Sequence, residues 1–337
     1  MSELVDIAVL GATGAVGETV FRILEERNFP VGKLYPLASS RSAGGEITFR
    51  NEEITVLDAA EFDWSQVKVA IFSAGGSVSA EYAPKAAAAG CTVIDNTSHF
   101  RMDPDVPLVV PEVNPEQIFN APRGIIANPN CSTIQMVVAL KPLHDVNPIR
   151  RIVVSTYQAT SGAGRSAMDE LFEQTRALYT GEEMKPKKFP KRIAFNCIPQ
   201  IDSFLEDGYT KEEVKMMEET RKIMGTQAIR VTATTVRVPV FYGHAESVNV
   251  EFERPFDPNE ARAVLSAADG VVVMDAPQMG LYPTQADCGG TDPVYVGRLR
   301  NDPSHENCLN MWIVADNLRK GAALNAVQIA EILIQER

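Results

Sequence analysis

The sequence predicts an α/β protein of two domains, an N-terminal doubly wound parallel sheet followed by a second domain of α+β type. Three observations carry this reading. An apolar strand, a glycine turn and a helix follow one another at the N-terminus, and strand and helix patterns then alternate as far as Cys131. At Arg150-Arg151 the pattern changes, and a long alternating strand opens a second sheet.

A chain of 337 residues, 45% hydrophobic and 23% charged, has room for about two domains with full cores. The net charge of -12 argues against nucleic acid as a partner. The longest apolar runs fall far short of a membrane span, and Met1 to Asp6 lacks the regions of a signal peptide, so a cytoplasmic protein is expected. Cys91, Cys131, Cys197, Cys288 and Cys308 are odd in number and scattered, with no Cys-x-x-Cys pair. Neither a disulfide framework nor a metal site is expected.

In chain order, Asp6 to Leu10 reads as a buried strand and Glu18 to Arg27 as a helix carrying Val20, Phe21, Ile23 and Leu24. Between them lies Gly11-Ala12-Thr13-Gly14-Ala15-Val16-Gly17. Its G-x-x-G-x-x-G spacing departs from G-x-G-x-x-G, but the physics is that of a dinucleotide turn: glycines admit a pyrophosphate, and the helix start supplies N–H donors. Gly11, Thr13, Gly14, Ala15 and Val16 are therefore expected at a cofactor; a structural turn is the plain alternative. The strand Lys33 to Ala38 ends in Ser39-Ser40-Arg41-Ser42, where an NAD enzyme usually offers an acid to the ribose. Arg41 and Ser42 suit a 2′-phosphate instead, which favours NADP. A solvated loop arginine is the alternative.

Val67 to Phe72 and Thr92 to Asp95 continue the sheet around an alanine-rich helix ending at Gly90. The loop Asn96 to Arg101 follows a strand end, where such sheets bind ligands, so Arg101 is a candidate anion contact and His99 a structural residue. Gly124 to Ala127 is a short strand, and Ile134 to Leu140 is helical. The turn Asn128-Pro129-Asn130-Cys131-Ser132-Thr133 thus sets Cys131 at a helix start. Backbone N–H groups and the macrodipole favour a thiolate there, and the same donors suit a tetrahedral oxyanion. Cysteine as a small buried hydrophobe is the alternative.

In the second domain, the strand Ile152 to Gln158 runs into Ala159-Thr160-Ser161-Gly162-Ala163-Gly164. Lys185 to Arg192 (KPKKFPKR) reads as a solvated surface segment. Thr210 to Gly225 is a helix with Thr210 and Glu213 at capping-box spacing, and Glu212 and Lys215 share one face, ordinarily as a surface ion pair. The strand Ile229 to Val238 leads through Pro239-Val240-Phe241-Tyr242-Gly243-His244, with Arg237 and His244 near its end. Ala245 to Phe252, Val294 to Leu299 and Asn310 to Ala315 are strands, and Pro258 to Ala268 is a helix. Asp316 opens a last helix to about Gln335. His144 and His305 are read as structural or surface residues.

The glycine turn, Asn128-Pro129-Asn130-Cys131-Ser132-Thr133, Tyr157 to Gly164 and Arg237 to His244, in this order and nearly end to end, resemble the aspartate-semialdehyde dehydrogenase family, bacterial type. The resemblance implies a Rossmann-like NADP-binding domain at 1–130, completed by a C-terminal helix at 318–337, and a catalytic and dimerisation domain at 131–317. It implies reversible reduction of L-aspartyl 4-phosphate by NADPH to L-aspartate 4-semialdehyde, feeding lysine, threonine, methionine and diaminopimelate synthesis. The residue chemistry agrees: a Cys131 thiolate attacks the acyl phosphate, hydride reduces the thioester, and His244 serves as general acid and base. Arg237 suits the substrate carboxylate. By resemblance, Gln158 orients the acyl group, Glu212 takes the ammonium, and Arg101, Lys215 and Asn130 contact the phosphate. Ser161, Gly162 and Asn317 would be further cofactor contacts, and a homodimer or dimer of dimers is implied. The alternatives are a reductase of another acyl phosphate, such as N-acetylglutamyl phosphate, or a non-catalytic NADP-binding regulator.

Overall fold

The computed structural model describes residues 4–335; the readings that rest on Met1, Ser2 and Glu3, and the final Glu336 and Arg337 of the expected terminal segment, lie outside it. The chain forms two compact units, Met1–Asn130 with Ala322–Arg337, and Cys131–Gly321. The return to the first unit begins at Ala322, where the sequence placed it at 318.

In the first unit, β1 (Val5–Leu10) runs through the glycine turn into α1 (Ala15–Glu26) and β2 (Val31–Ala38). A hairpin follows, β3 (Glu46–Phe49) and β4 (Glu52–Thr55), then the short β5 (Leu57–Asp58). β6 (Val69–Phe72), α2 (Gly76–Ala88), β7 (Thr92–Asp95) and β8 (Ile125–Ala127) complete the set. The sheet order is β5-β2-β1-β6-β7-β8, and every pairing is parallel. Because the chain turns one way from β1 to β2 and later crosses to β6, the order reverses at β1, so the glycine turn lies where doubly wound sheets bind nucleotides. Both faces are covered, which is why Ile7 to Leu10 of β1 and the whole of β6 read as unbroken apolar runs. Ile7, Val9, Ile23, Leu24 and Ile71 are fully buried, each worth about 1.5–3 kcal/mol on transfer from water.

The second unit opens with α3 (Cys131–Val146), whose residues Ser132 to Leu140 are all buried. A helix buried on every side belongs at the centre of its domain. β9 (Ile149–Gln158), α4 (Arg165–Thr180), α5 (Lys211–Ile223), β10 (Arg230–Arg237) and β11 (His244–Phe252) follow. Then come α6 (Pro258–Ser266), β12 (Val271–Val273), α7 (Gln285–Cys288), β13 (Val294–Asn301) and β14 (Cys308–Ala315). The sheet order is β10-β9-β11-β14-β13-β12; β10 is parallel to β9 and β12 to β13, and the other pairs are antiparallel.

Two local expectations change. The last helix does not open at Asp316: that side chain accepts from the N–H groups of Leu318 (2.8 Å) and Arg319 (3.1 Å), a π-helical turn spans Arg319–Ala323, and α8 (Leu324–Gln335) begins only then. The basic segment is not simply solvated. Glu170 on α4 accepts from the N–H groups of Lys187 and Lys188, and Gln174 accepts from Ile193 (2.8 Å) and Ala194 (3.1 Å). Its backbone is tied to a helix while its ammonium groups face water. Among the described residues, no helix is long and apolar enough to cross a membrane.

Candidate active site

In the second unit, the ends of β9 and β10 and the start of β11 converge near the first turn of α3. Gln158 pairs with Arg237 across β9 and β10, and the Ala245–Tyr157 pairing brings His244 alongside. Cys131 is the first residue of α3 and half-buried. It is therefore accessible and sits at the positive end of the macrodipole.

Gly321, in the π-helical turn, is held against it. A Cβ added at Gly321 would lie 2.9 Å from the Cys131 Cβ and 3.3 Å from its Cα. Only glycine fits, because both neighbours are backbone or its first branch. Gly321→Ala should displace Cys131 and lower kcat about 100-fold, with a smaller change in melting temperature. Near-normal kcat would show that the contact does not position Cys131.

One residue, Ala159, organises both Arg237 and His244. The Ala159 carbonyl accepts from Arg237 Nη1 at 2.6 Å, and the Ala159 N–H donates to His244 Nδ1 at 3.1 Å. Arg237 is buried, and the Ala159 carbonyl is the single hydrogen-bonding partner of its guanidinium among the described residues, which leaves the rest of the fork for a ligand carboxylate. Burial lowers its pKa, against the opposing charges of Glu212 and Cys131. His244 is fully buried, and its pKa is pushed down to about 3, first by burial and then by Arg237. A Cβ at Gly162 would lie 3.0 Å from Arg237 Nη1 and 3.1 Å from His244 Nε2, so this glycine keeps open the space both groups face.

Gln158 donates to Ser132 Oγ on α3 and to Glu212 Oε1 on α5, the latter at 3.3 Å. Glu212 is placed by the capping box next to it. Thr210 N–H donates to Glu213 Oε2 at 2.7 Å, and Glu213 Oε1 accepts from Thr235 N–H on β10 at 2.9 Å, so the helix start is fastened to the sheet. Glu212 Oε2 meets Lys215 at 3.2 Å, and Lys215 also pairs with Asp202 at 2.9 Å. Burial disfavours the Lys215 charge, but Glu212 and Asp202 outweigh it, and its pKa is raised. Ser161 Oγ and the Gly243 N–H both donate to Asn317 Oδ1 at 3.0 Å.

In the first unit, Gly11 has φ +93°, and a Cβ there would lie 2.8 Å from Ser73 Oγ and 2.9 Å from Ala74 N. Gly14 caps α1 without a side-chain acceptor, so the N–H groups opening the helix, those of Ala15 and Val16 included, have no side-chain cap and suit an anion. Thr13 and Arg41 are exposed, and Ser42 is half-buried. Arg101 is buried, with Nε donating to Asn128 O (2.9 Å) and Nη2 to Asn96 O (3.0 Å); Asn130 is buried at the end of this unit. His99 stacks edge-on against Phe100, and His144 Nδ1 accepts from Ile149 N–H at 3.0 Å. Ser132, Ala159 and Gly321 went unread as site residues; two of the three act through backbone or through lacking a side chain, which leaves no sequence signal.

A profile described as semialdehyde dehydrogenase, NAD binding domain, matches residues 6–121, and one described as semialdehyde dehydrogenase, dimerisation domain, matches 140–320. An aspartate-semialdehyde dehydrogenase of Shewanella sp. (strain DB6705) is 56% identical over 100% of this chain and 99% of its own. The chain belongs to the aspartate-semialdehyde dehydrogenase family. A crystal structure of a member, aspartate semialdehyde dehydrogenase II from Vibrio cholerae complexed with ASA, is 55% identical, covers 99% of both chains and superposes with a TM-score of 0.97. A more distant aspartate semialdehyde dehydrogenase, from Candida albicans with NADP, is 27% identical over 98% of both chains, with a TM-score of 0.77.

Proposed function

We propose that the chain reduces L-aspartyl 4-phosphate to L-aspartate 4-semialdehyde, reversibly and with release of phosphate, through a thioester on Cys131. The observation that supports this is the gathering of Arg237, His244 and the Gln158–Glu212 pair beside the start of α3, where Gln158 reaches Ser132 and Arg237 faces the half-buried Cys131. Cys131 Sγ bonds to the acyl carbon, the bond to phosphate breaks, and the departing phosphate takes up a proton from solvent. The first N–H groups of α3 and His244 hold the negative oxygen of each tetrahedral intermediate. NADPH, when bound, supplies the hydride that converts the thioester to the aldehyde and returns the thiolate. Arg237 holds the substrate carboxylate, and Glu212, already aligned by Gln158, takes the ammonium. Gln158 orients the acyl group without titrating. We assign phosphate contacts to Lys215, Arg101 and Asn130.

The first unit suits this cofactor. Gly11 admits a close pyrophosphate, Gly14, Ala15 and Val16 present the start of α1, and Thr13 borders them. Arg41 and Ser42 suit the 2′-phosphate of NADP, and Ser161, Gly162 and Asn317 are assigned as contacts from the second unit. Losing Arg41 in Arg41→Ala should raise KM for NADP about 10- to 100-fold, the worth of a charge-assisted hydrogen bond, and leave NAD unchanged. Equal weakening of both cofactors would mean that Arg41 does not read the 2′-phosphate.

We further propose a homodimer built through the second unit, and a cytoplasmic location, which five free cysteines suit. The deciding experiment is phosphate-dependent NADP reduction with aspartate semialdehyde beside N-acetylglutamate semialdehyde. Turnover with the first supports the reading. Preference for the second, or cofactor binding without turnover, overturns it.

A further inference from the structure

The turn that presses Gly321 on Cys131 is π-helical, Arg319–Ala323, a geometry that proteins use sparingly and often near functional sites. The N–H groups that open such a turn have no preceding carbonyls to meet them. One side chain takes that part. Asp316 Oδ1 accepts from the N–H groups of Leu318 at 2.8 Å and Arg319 at 3.1 Å. The Asp316 carbonyl accepts from Gly321 N–H at 3.1 Å, the five-residue reach of a π-helix. Asp316 therefore holds both ends of the turn, and the far end is the glycine in contact with Cys131.

The second carboxylate oxygen faces a different segment. Asp316 Oδ2 accepts from Gly290 N–H at 2.7 Å, in the loop that follows α7. That loop is itself fastened to the sheet. Gln285 Nε2 on α7 donates to the carbonyl of Tyr157 on β9 at 2.9 Å and to that of Gly243, just before β11, at 2.6 Å. A further tie lies beside it, with Arg319 Nε donating to Asp292 Oδ1 at 2.6 Å. Helix or turn capping explains Oδ1 alone; it explains neither the bond from Oδ2 nor the burial of the side chain. Asparagine could do half of this, because its amide NH2 would set one N–H against another.

We propose that Asp316 is a positioning residue for Cys131: it clamps the π-helical turn to the loop after α7 and so holds Gly321 against Cys131. This rests on the reaction proposed above, in which Cys131 is the nucleophile. Asp316 acts through one backbone contact and touches no substrate, so it governs rate and not binding. A nucleophile that shifts by about 1 Å loses its line to the acyl carbon. Arg237 and Glu212, assigned to the substrate, keep their own partners, Ala159 and Gln158.

Steady-state kinetics on the full chain separate positioning from folding. Asp316→Ala should lower kcat about 100-fold and change KM for aspartate semialdehyde by less than about 3-fold. Asp316→Asn keeps an acceptor for the turn, guards against an alanine variant too unstable to assay, and should lower kcat about 10-fold. Asp257→Ala is the control. That side chain caps α6, accepting from the N–H groups of Asn259 and Glu260, so its loss should lower the melting temperature and leave kcat unchanged. Because Asp316 acts through Gly321, adding Gly321→Ala to Asp316→Ala should cost less than about 3-fold beyond the worse single variant. An unchanged kcat in the Asp316 variants, a loss shared by Asp257→Ala at equal melting temperature, or losses that multiply would each overturn the proposal.

Alkylation of Cys131 by iodoacetamide at fixed pH, with Cys131→Ala as background, reads the same contact without turnover. Loosening the turn uncovers the cysteine, so the Asp316 variants should react about 3- to 5-fold faster; an unchanged rate overturns the clamp. Absence of wild-type turnover with aspartate semialdehyde would overturn the reaction, and the alkylation rates would still decide the positioning.

Discussion

Replacing Cys131 with alanine is expected to lower kcat by about 10⁴-fold or more, the scale seen when a covalent nucleophile is removed. In the proposed mechanism the thiol forms and breaks the bond to substrate, and Cys91, Cys197, Cys288 and Cys308 are not placed to substitute: three are buried, and Cys197 lies on the loop after α4. Burial also pushes the Cys288 thiol up to about 12, which makes it a poor nucleophile. NADPH binding, followed by fluorescence, should be unchanged because the glycine turn belongs to the other unit. Thermal stability should move little, since the side chain is small and half-buried. Retention of more than about one hundredth of the rate would remove the thioester from the mechanism.

Arg237→Gln should reduce kcat/KM for aspartate semialdehyde by about 30- to 3,000-fold, corresponding to about 2–5 kcal/mol for truncating one side of a buried charge pair. Steady-state kinetics should show both parameters changing, because Arg237 is proposed to grip the carboxylate and also faces Cys131. Lysine should not rescue, since a point charge cannot replace the planar fork. Stability should be steady or rise. Burial already works against this guanidinium, and it has a single hydrogen bond to the protein, so function rather than folding holds it there. A full loss of activity accompanied by a collapse in melting temperature would instead make Arg237 structural.

Much of this was legible because it is local. Asn128 to Thr133 declares a turn and a helix start, and α3 does begin at Cys131. Thr210 and Glu213 have capping-box spacing and form the box. The alternation of β10 and β11 likewise put Arg237 and His244 at strand ends. Other features depend on distant chain meeting distant chain. Nothing near Gly321 announces that it must pack on Cys131, and Ala159 acts through a peptide group that every residue possesses. α4 is hard to read from sequence because Glu170 and Gln174, in its buried face, break the apolar periodicity; they are buried where they bind the backbone of the basic segment and the residues just after it.

The close approach of Gly321 to Cys131 also describes the chain's route. Those residues are the two ends of the second unit, 131 at its start and 321 at its finish, and they touch. A segment whose ends meet has the topology of a module spliced into a host, entering and leaving through a single doorway. Cys131 is the first residue through that doorway and Gly321 the last. Lengthening the second unit by one residue at either end would part Cys131 from Gly321, and is expected to shift the proposed nucleophile before it threatens folding.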